Sequence, residues 1–317
     1  MKSRCLLIFI LAACIFSPLS APAAEAEKDA QKQSTRSKMI FGPPVNVNIA
    51  GPGSMPEGVL MTGVNASFSD KVTAVGNAGS RASDVFSQQW LLKLRYGITD
   101  YLEIWSTTPY VNQQRRNPEL ARHNTIYGVA DSVLALTLAP WQERRGDAFT
   151  ASVSAGVLLP IAAWGKDHMP GMGVMAFRGQ AAIGKFVTKD IKIETEGVWY
   201  TRFARGNQDV RLGDQFQWNS QIRYLFDHFD IGVESSLVTN EAADKEVRSN
   251  VSSLRNGFTE WFVGPSVNVG IDPLGMWAGL GVFFPVLYSL HNEGNPPNGY
   301  STKMENFRVE FKLAKLW

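Results

Sequence analysis

Residues 305–317 read Glu305-Asn306-Phe307-Arg308-Val309-Glu310-Phe311-Lys312-Leu313-Ala314-Lys315-Leu316-Trp317. Phe307, Val309, Phe311 and Leu313 fall on one side of an extended chain, while Arg308, Glu310 and Lys312 fall on the other. Period-two alternation predicts a strand with one apolar and one wet face. A soluble strand carries the same pattern when an inner sheet packs on its apolar face. The choice between a sandwich and a membrane wall therefore rests on the remaining sequence.

The alternation recurs upstream. Strands are predicted over 58–68, 85–98, 101–111, 129–138, 148–159, 174–187, 191–203, 215–226, 229–238, 258–271, 277–288 and 304–317. Each is near the ~10 residues that cross a bilayer on a tilt. Their connectors are short at 99–100, 141–147, 188–190, 227–228 and 272–276. They are long at 69–84, 112–128, 160–173, 204–214, 239–257 and 289–303, and the two kinds alternate strictly. Transmembrane barrels show this asymmetry between tight turns on one side and long loops on the other. The predicted fold is all-β: a transmembrane antiparallel β-barrel of the bacterial outer membrane with about twelve strands. An even strand count places both termini in the periplasm.

The faces point the same way. Phe216, Trp218, Ile222 and Tyr224 share one side of their strand, and Gln215, Gln217, Asn219, Gln221 and Arg223 share the other. In a dry sandwich core that polar row would cost roughly 1–3 kcal/mol for each unsatisfied group. A watered lumen removes the cost. Leu280, Val282, Phe284, Val286 and Tyr288 are expected to form a lipid face. Trp90, Trp105, Tyr110, Trp141, Trp199, Trp261, Trp277 and Trp317 are candidates for the interfacial girdles, with one or two of them filling lumen space instead. The residues expected to line the lumen are Lys93, Arg95, Arg178, Lys192, Glu194, Glu196, Arg202, Arg223, Glu234, Arg308, Glu310 and Lys312. Mixed signs argue against a strongly ion-selective pore. They fit a cross-strand ion-pair network, a lining that orients a polar or amphipathic cargo, or both.

The terminal strand resembles the last strand of bacterial outer-membrane barrels, which alternates in this way and ends in an aromatic residue. The resemblance implies that Phe307, Val309, Phe311, Leu313 and Trp317 form the signal read by the barrel-assembly machinery. Leu94-Arg95-Tyr96-Gly97-Ile98-Thr99-Asp100, followed by Leu102-Glu103-Ile104 and Pro109-Tyr110, is similar to a hairpin of the outer-membrane family of the MetA pathway of phenol degradation. Gly128-Val129-Ala130-Asp131-Ser132 resembles that family's G-x-G-D element, with Ala130 in place of the second glycine, and Val157-Leu158-Leu159-Pro160 resembles a strand end closed by proline. The resemblance implies a transporter-like barrel that takes up or handles small hydrophobic or aromatic molecules, with such a molecule as its ligand. Read without the family, Gly97 beside Thr99-Asp100 permits a sharp reversal. Glu103 is then placed to meet a basic neighbour across the ladder.

Lys2 and Arg4 precede the apolar run 5–16, and Ala21, Pro22, Ala23 and Ala24 follow, which is the layout of a cleaved secretory signal peptide over residues 1–24. Leu11-Ala12-Ala13-Cys14 resembles a lipoprotein processing box and is the competing reading. Both cysteines of the chain, Cys5 and Cys14, lie in this leader, so ordinary cleavage leaves no thiol for a disulfide, a metal site or a nucleophile. Residues 25–56, polar at first and then rich in glycine and proline, are expected to be a flexible periplasmic arm, with a plug entering the lumen as the alternative. The barrel is expected over 57–317, in the outer membrane of a Gram-negative bacterium. No later apolar run approaches the ~20 residues of a spanning helix.

The formal charge is +2, and no basic stripe interleaved with aromatics suggests nucleic acid. His123, His168, His228 and His291 have no His or Cys partner at a ligand spacing, so no metal site and no cofactor are expected. No His-x-Ser or G-x-S-x-G motif points to an enzyme. A surface hydrolase using His123, His168 or His291 is the remote alternative, and a closed-lumen structural or binding barrel the nearer one. Outer-membrane lipids and lipopolysaccharide are expected neighbours, the latter near Gln113-Gln114-Arg115-Arg116 and Arg122-His123.

Overall fold

The computed structural model describes residues 50–74, 81–117, 122–161, 173–203, 213–241, 257–271, 274–291 and 302–317. The strands are β1 (Leu60–Ala74), β2 (Arg81–Gly97), β3 (Leu102–Asn117), β4 (Arg122–Val129), β5 (Ser132–Trp141), β6 (Thr150–Leu159), β7 (Ala176–Phe186), β8 (Ile191–Arg202), β9 (Gln215–Leu225), β10 (Phe229–Asn240), β11 (Gly257–Ile271), β12 (Met276–His291) and β13 (Thr302–Leu316). Each pairs antiparallel with its neighbours, and β1 pairs with both β2 and β13, so the sheet closes on itself. The seam runs from Met61 opposite Leu316 to Ala74 opposite Thr302. Closure removes the unpaired sheet edges that an open sheet would expose.

The wall has twelve strands, because β4 and β5 are two parts of one. β4 pairs with Tyr110–Asn117 of β3 and β5 with Leu102–Thr107 of the same strand. The break at Ala130 and Asp131 lies opposite Pro109. Proline has no N–H to give the ladder, and its carbonyl still accepts the Ala130 N–H at 2.8 Å. The Pro-Tyr pair quoted from the sequence is thus the cause of a bulge in the next strand.

The wall is inside out relative to a soluble domain. On β2, Leu92 faces outward and is 47% exposed, whereas its neighbour Lys93 faces inward and is 7% exposed. Leu280 and Phe284 on β12 and Phe311 and Leu313 on β13 are likewise exposed outward, with Glu310 and Lys312 buried inward. No helix among the described residues is long and apolar enough to cross a membrane, and the strands supply the apolar surface instead. Of the eight girdle candidates, Trp105 and Trp277 are buried inward and the other six are exposed.

Several expectations need correction. The long connectors 69–84 and 112–128 are largely strand, since β1 continues to Ala74, β2 begins at Arg81 and β3 continues to Asn117. Ladder pairing persists through both stretches. Tyr288 does not share the outward face of Leu280. Trp261 pairs with Leu287 and Phe262 with Pro285, which leaves Val286 as an extra residue. A one-residue bulge reverses the phase of everything beyond it, so Leu287 is exposed opposite Trp261. The β2–β3 reversal is also longer than two residues. It spans 98–101 and is held by the Thr99 hydroxyl, which accepts the N–H groups of Tyr101 and Leu102 at 3.2 and 3.0 Å.

Between β12 and β13 the ladder runs only from Met276 opposite Lys315 to Phe283 opposite Arg308. Beyond it, β12 pairs with β11 and β13 with β1, but the two are not paired with each other among the described residues.

Candidate functional site

The inner face carries a belt of paired polar side chains. Arg223 on β9 donates through Nη1 to Asp230 at 3.1 Å and through Nη2 to Glu234 at 2.7 Å, both on β10. Its Nε donates to Gln221 at 2.9 Å, and Gln221 in turn donates to Glu194, which is paired with Lys192. Asn268 extends the belt by donating to Asp230 at 3.0 Å and accepting from Lys312 at 3.3 Å. Arg308 lies 3.6 Å from Glu310 and 4.4 Å from the centroid of the Phe262 ring. Inward placement follows from alternation along each strand, and the pairing follows from register: Glu194 sits opposite Gln221, which sits opposite Glu234.

On the facing arc, Trp105 Nε1 donates to Thr137 at 2.9 Å, and the Thr137 and Ser154 hydroxyls are 2.7 Å apart. Glu196, 3% exposed, accepts from Gln180 Nε2 at 2.9 Å and Asn219 Nδ2 at 2.8 Å. Its remaining capacity goes to the chain that precedes the barrel: Ala50 and Gly51 donate their backbone N–H groups to it at 3.1 Å.

That contact places the end of the segment expected as a free periplasmic arm. Residues 50–56 lie against the inner wall. Met55 donates its N–H to Glu103 Oε2 at 2.6 Å, and the Gly53 carbonyl accepts from Arg95 Nη2 at 2.7 Å. Ser54 donates to the Asp100 carbonyl at 3.0 Å and accepts from Gln142 Nε2 at 2.7 Å. Proline and glycine suit this role because a chain without strand partners must have its polar groups met by side chains. Residues 25–49 lie outside the described residues, as do the leader and His168.

Of the residues singled out by sequence, ten are buried on the inner face: Lys93, Arg95, Arg178, Lys192, Glu194, Glu196, Arg223, Glu234, Glu310 and Lys312. Arg308 is half-buried beside them. Arg202 stands apart at the end of β8, where it bonds the Gly213 carbonyl and Gln215 and so ties the two ends of the β8–β9 connection. Sequence reasoning missed Asp230, Asn268 and Gln142, and it held the inward course of the arm only as the alternative to a free periplasmic segment. Asp230 shares the inward phase of Glu234, four residues further along β10, and that phase was the signal that could have found it. The inward position between them is Gly232, which carries no polarity and so interrupts the pattern. Glu103 was expected to meet a basic neighbour, and it pairs with Arg95 at 2.8 Å.

The turn after β5 forms a short 3-10 segment, Glu143–Arg145, under the barrel. Glu143 accepts the Phe186 N–H at 2.8 Å. Burial raises its carboxyl above the ordinary range, with that hydrogen bond acting in the opposite direction. Burial also lowers the Arg144 guanidinium, against the attraction of Asp100.

No family model matches the sequence and no curated protein matches it. Solved structures do match the fold. The COG4313 outer membrane channel from Pseudomonas putida F1 aligns with TM-score 0.66 and 14% identity over 84% of this chain and 98% of that one. The NanC porin aligns with TM-score 0.44 and 8% identity over 80% and 98%, and the CymD monoaromatic hydrocarbon channel with TM-score 0.36 and 9% identity over 83% and 89%. The fold is that of bacterial outer-membrane barrels.

Proposed function

We propose that this chain is a transport barrel of the outer membrane, with its short turns and both termini in the periplasm and residues 50–56 restricting the lumen. One observation carries the reading: the backbone of the preceding segment is held inside the wall by two buried carboxylates, Glu103 and Glu196. A barrel that only braces a membrane gains nothing from a peptide seated in its lumen, whereas a conduit gains a restriction.

The cargo in this reading is small and predominantly hydrophobic or aromatic. The hairpin Leu94–Tyr110 supports it by its family resemblance. The inward rings of Trp105, Trp277, Phe262 and Phe283, with Met61, Leu91 and Val198, support it by giving a largely polar wall apolar patches, as does the stretch of β12 just beyond Phe283, which among the described residues pairs with β11 but not with β13. Phe307, Val309, Phe311, Leu313 and Trp317 serve assembly, and the connections at the opposite end meet lipopolysaccharide. The leader, residues 1–24, directs export.

The test is reconstitution of the full mature chain into planar bilayers and liposomes. Uptake of a neutral aromatic probe such as benzyl alcohol above that of empty liposomes is expected. No conductance and no uptake, both in the full chain and in a chain lacking residues 25–56, would sink the reading. A closed structural or binding barrel is the second reading, favoured by the density of the Arg223, Asp230 and Glu234 pairs. It requires that conductance appear only after several inward arginines are replaced.

A further inference from the structure

Between the arm and the wall lies a recess whose charges do not balance. Thr137 and Ser154, both small, leave a hollow between Trp105 and Gln180, with Ala50 and Gly51 over it and Lys93 at its side. Three cations on this arc, Lys93, Arg95 and Arg178, accompany two carboxylates, Glu103 and Glu196. Arg95 is matched to Glu103 at 2.8 Å. Glu196 is occupied by the N–H groups of Ala50 and Gly51 and by the amides of Gln180 and Asn219, none of them charged.

One positive charge is in excess: neither Lys93 nor Arg178 reaches a carboxylate at ion-pair distance among the described residues, and the two share the attraction of Glu196. Lys93 is 7% exposed, and no hydrogen bond or ion pair engages its ammonium among the described residues. Arg178 is 4% exposed and is held in place: its guanidinium carbon lies 4.8 Å from the Trp105 ring centroid and 5.7 Å from that of Tyr200, to which Nε donates at 3.0 Å. Among the described residues its Nη1 is buried with no hydrogen-bond partner, as is Oε1 of the neighbouring Gln180. A buried donor without an acceptor is costly, and a charged one more so. The Lys93 ammonium lines the hollow, and the Arg178 guanidinium lies outside the lining, stacked on Trp105, which does line it; two cations with donors to spare favour an anion there.

We propose that this recess is a binding station for the carboxylate of an amphipathic, aromatic cargo, a proposal that rests on the transport reading above. With the arm seated, the hollow has a volume of about 10 Å³, room for one water-sized group. The carboxylate therefore enters as Ala50 and Gly51 lift from Glu196, and cargo and arm exclude one another. A monoanion fits better than a phosphate, because Glu196 stays in the wall and repels a second full charge at short range.

The full mature chain in detergent micelles is titrated calorimetrically with benzoate and, separately, with benzyl alcohol. Saturable benzoate binding is expected, with at least tenfold weaker binding of benzyl alcohol. Lys93→Met and Arg178→Leu should each weaken benzoate binding at least tenfold, Lys93→Arg should restore it, and removal of residues 25–56 should tighten it. Heat-modifiable gel mobility identifies any variant that has not folded. No benzoate binding by the parent, or equal binding by parent and folded Lys93→Met, overturns the station. Liposome uptake separates the two readings. Benzyl alcohol uptake without benzoate binding overturns the station and leaves transport standing. Benzoate binding lost in both variants, without uptake of either probe, overturns transport and leaves the station.

Discussion

Met55 donates its backbone N–H to Glu103 Oε2 at 2.6 Å, and the other oxygen of that carboxylate lies 2.8 Å from Arg95 Nη2. One side chain in the first hairpin therefore fixes both the chain entering the barrel and a buried guanidinium. Glu103→Ala removes both contacts. Breaking a buried pair by removing one partner costs about 3–5 kcal/mol, so the unfolding temperature should fall. Single-channel conductance should rise as the arm loosens. Glu103→Gln keeps an acceptor for Met55 and is expected to lie between parent and Glu103→Ala in both measurements. Unchanged conductance in Glu103→Ala would show that the arm does not restrict flow.

Glu234 is fully buried and pairs with Arg223 at 2.7 Å. Replacing it with alanine takes from Arg223 one of the two carboxylates it is paired with, and a loss on the order of 3 kcal/mol is expected. The check is the temperature at which the folded, fast-migrating band disappears on a gel. Arg202→Ala, outside this network, should shift that temperature much less.

Gly97 is a glycine because of the arm rather than the turn. Its φ is not among the positive values, and an added Cβ would overlap the Pro56 carbonyl oxygen. Gly97→Ala must displace residues 55–57 and should destabilise by roughly 1–3 kcal/mol, the usual range for overpacking. In a chain lacking residues 25–56 the same substitution should cost far less. Equal losses in the two backgrounds would count against the contact.

Glu143 gives a pH dependence of defined sign. Its carboxyl is raised by burial, so the folded state binds its proton more tightly than the unfolded chain does. The resulting stability is fully present below the ordinary carboxyl range and is lost as pH rises through the raised value. Glu143→Gln, whose amide oxygen still accepts the Phe186 N–H, should raise the unfolding temperature at pH 7 and leave it unchanged near pH 4. A shift of the same size at both pH values would refute the burial cause.

Trp317 closes the seam. Its N–H donates to the Leu60 carbonyl at 2.9 Å, its indole N–H donates to Thr62 at 3.1 Å, and the Lys315 ammonium lies 3.7 Å from its ring centroid. Deleting it should lower the fraction of chains reaching the outer membrane in heat-modifiable form, while molecules that do fold transport at the parental rate. Thr62→Ala, which removes only the indole contact, should leave that fraction near the parental value.

Alternation made the wall legible because a strand between lipid and lumen must change polarity at every residue. Phe307, Val309, Phe311 and Leu313 against Arg308, Glu310 and Lys312 say this directly, and the same pattern fixed Lys93, Arg223 and Glu234. The reading failed where that contrast is absent. The outer parts of β1, β2 and β3 stay paired without alternating, so they read as loops. At Val286 a single unpaired residue reversed the phase, which no composition rule signals.

By itself, the sequence determined the class of this protein, a count of about twelve wall strands and the inward residues of most of them, since each follows from local period and connector length. Tertiary structure alone decided the partners. Glu103, Glu196 and Gln142 lie 48, 146 and 88 residues from the arm positions they hold, and a glycine- and proline-rich segment carries no periodic sign of where it will lie. Its place is set by buried carboxylates that require donors once the barrel has closed around them.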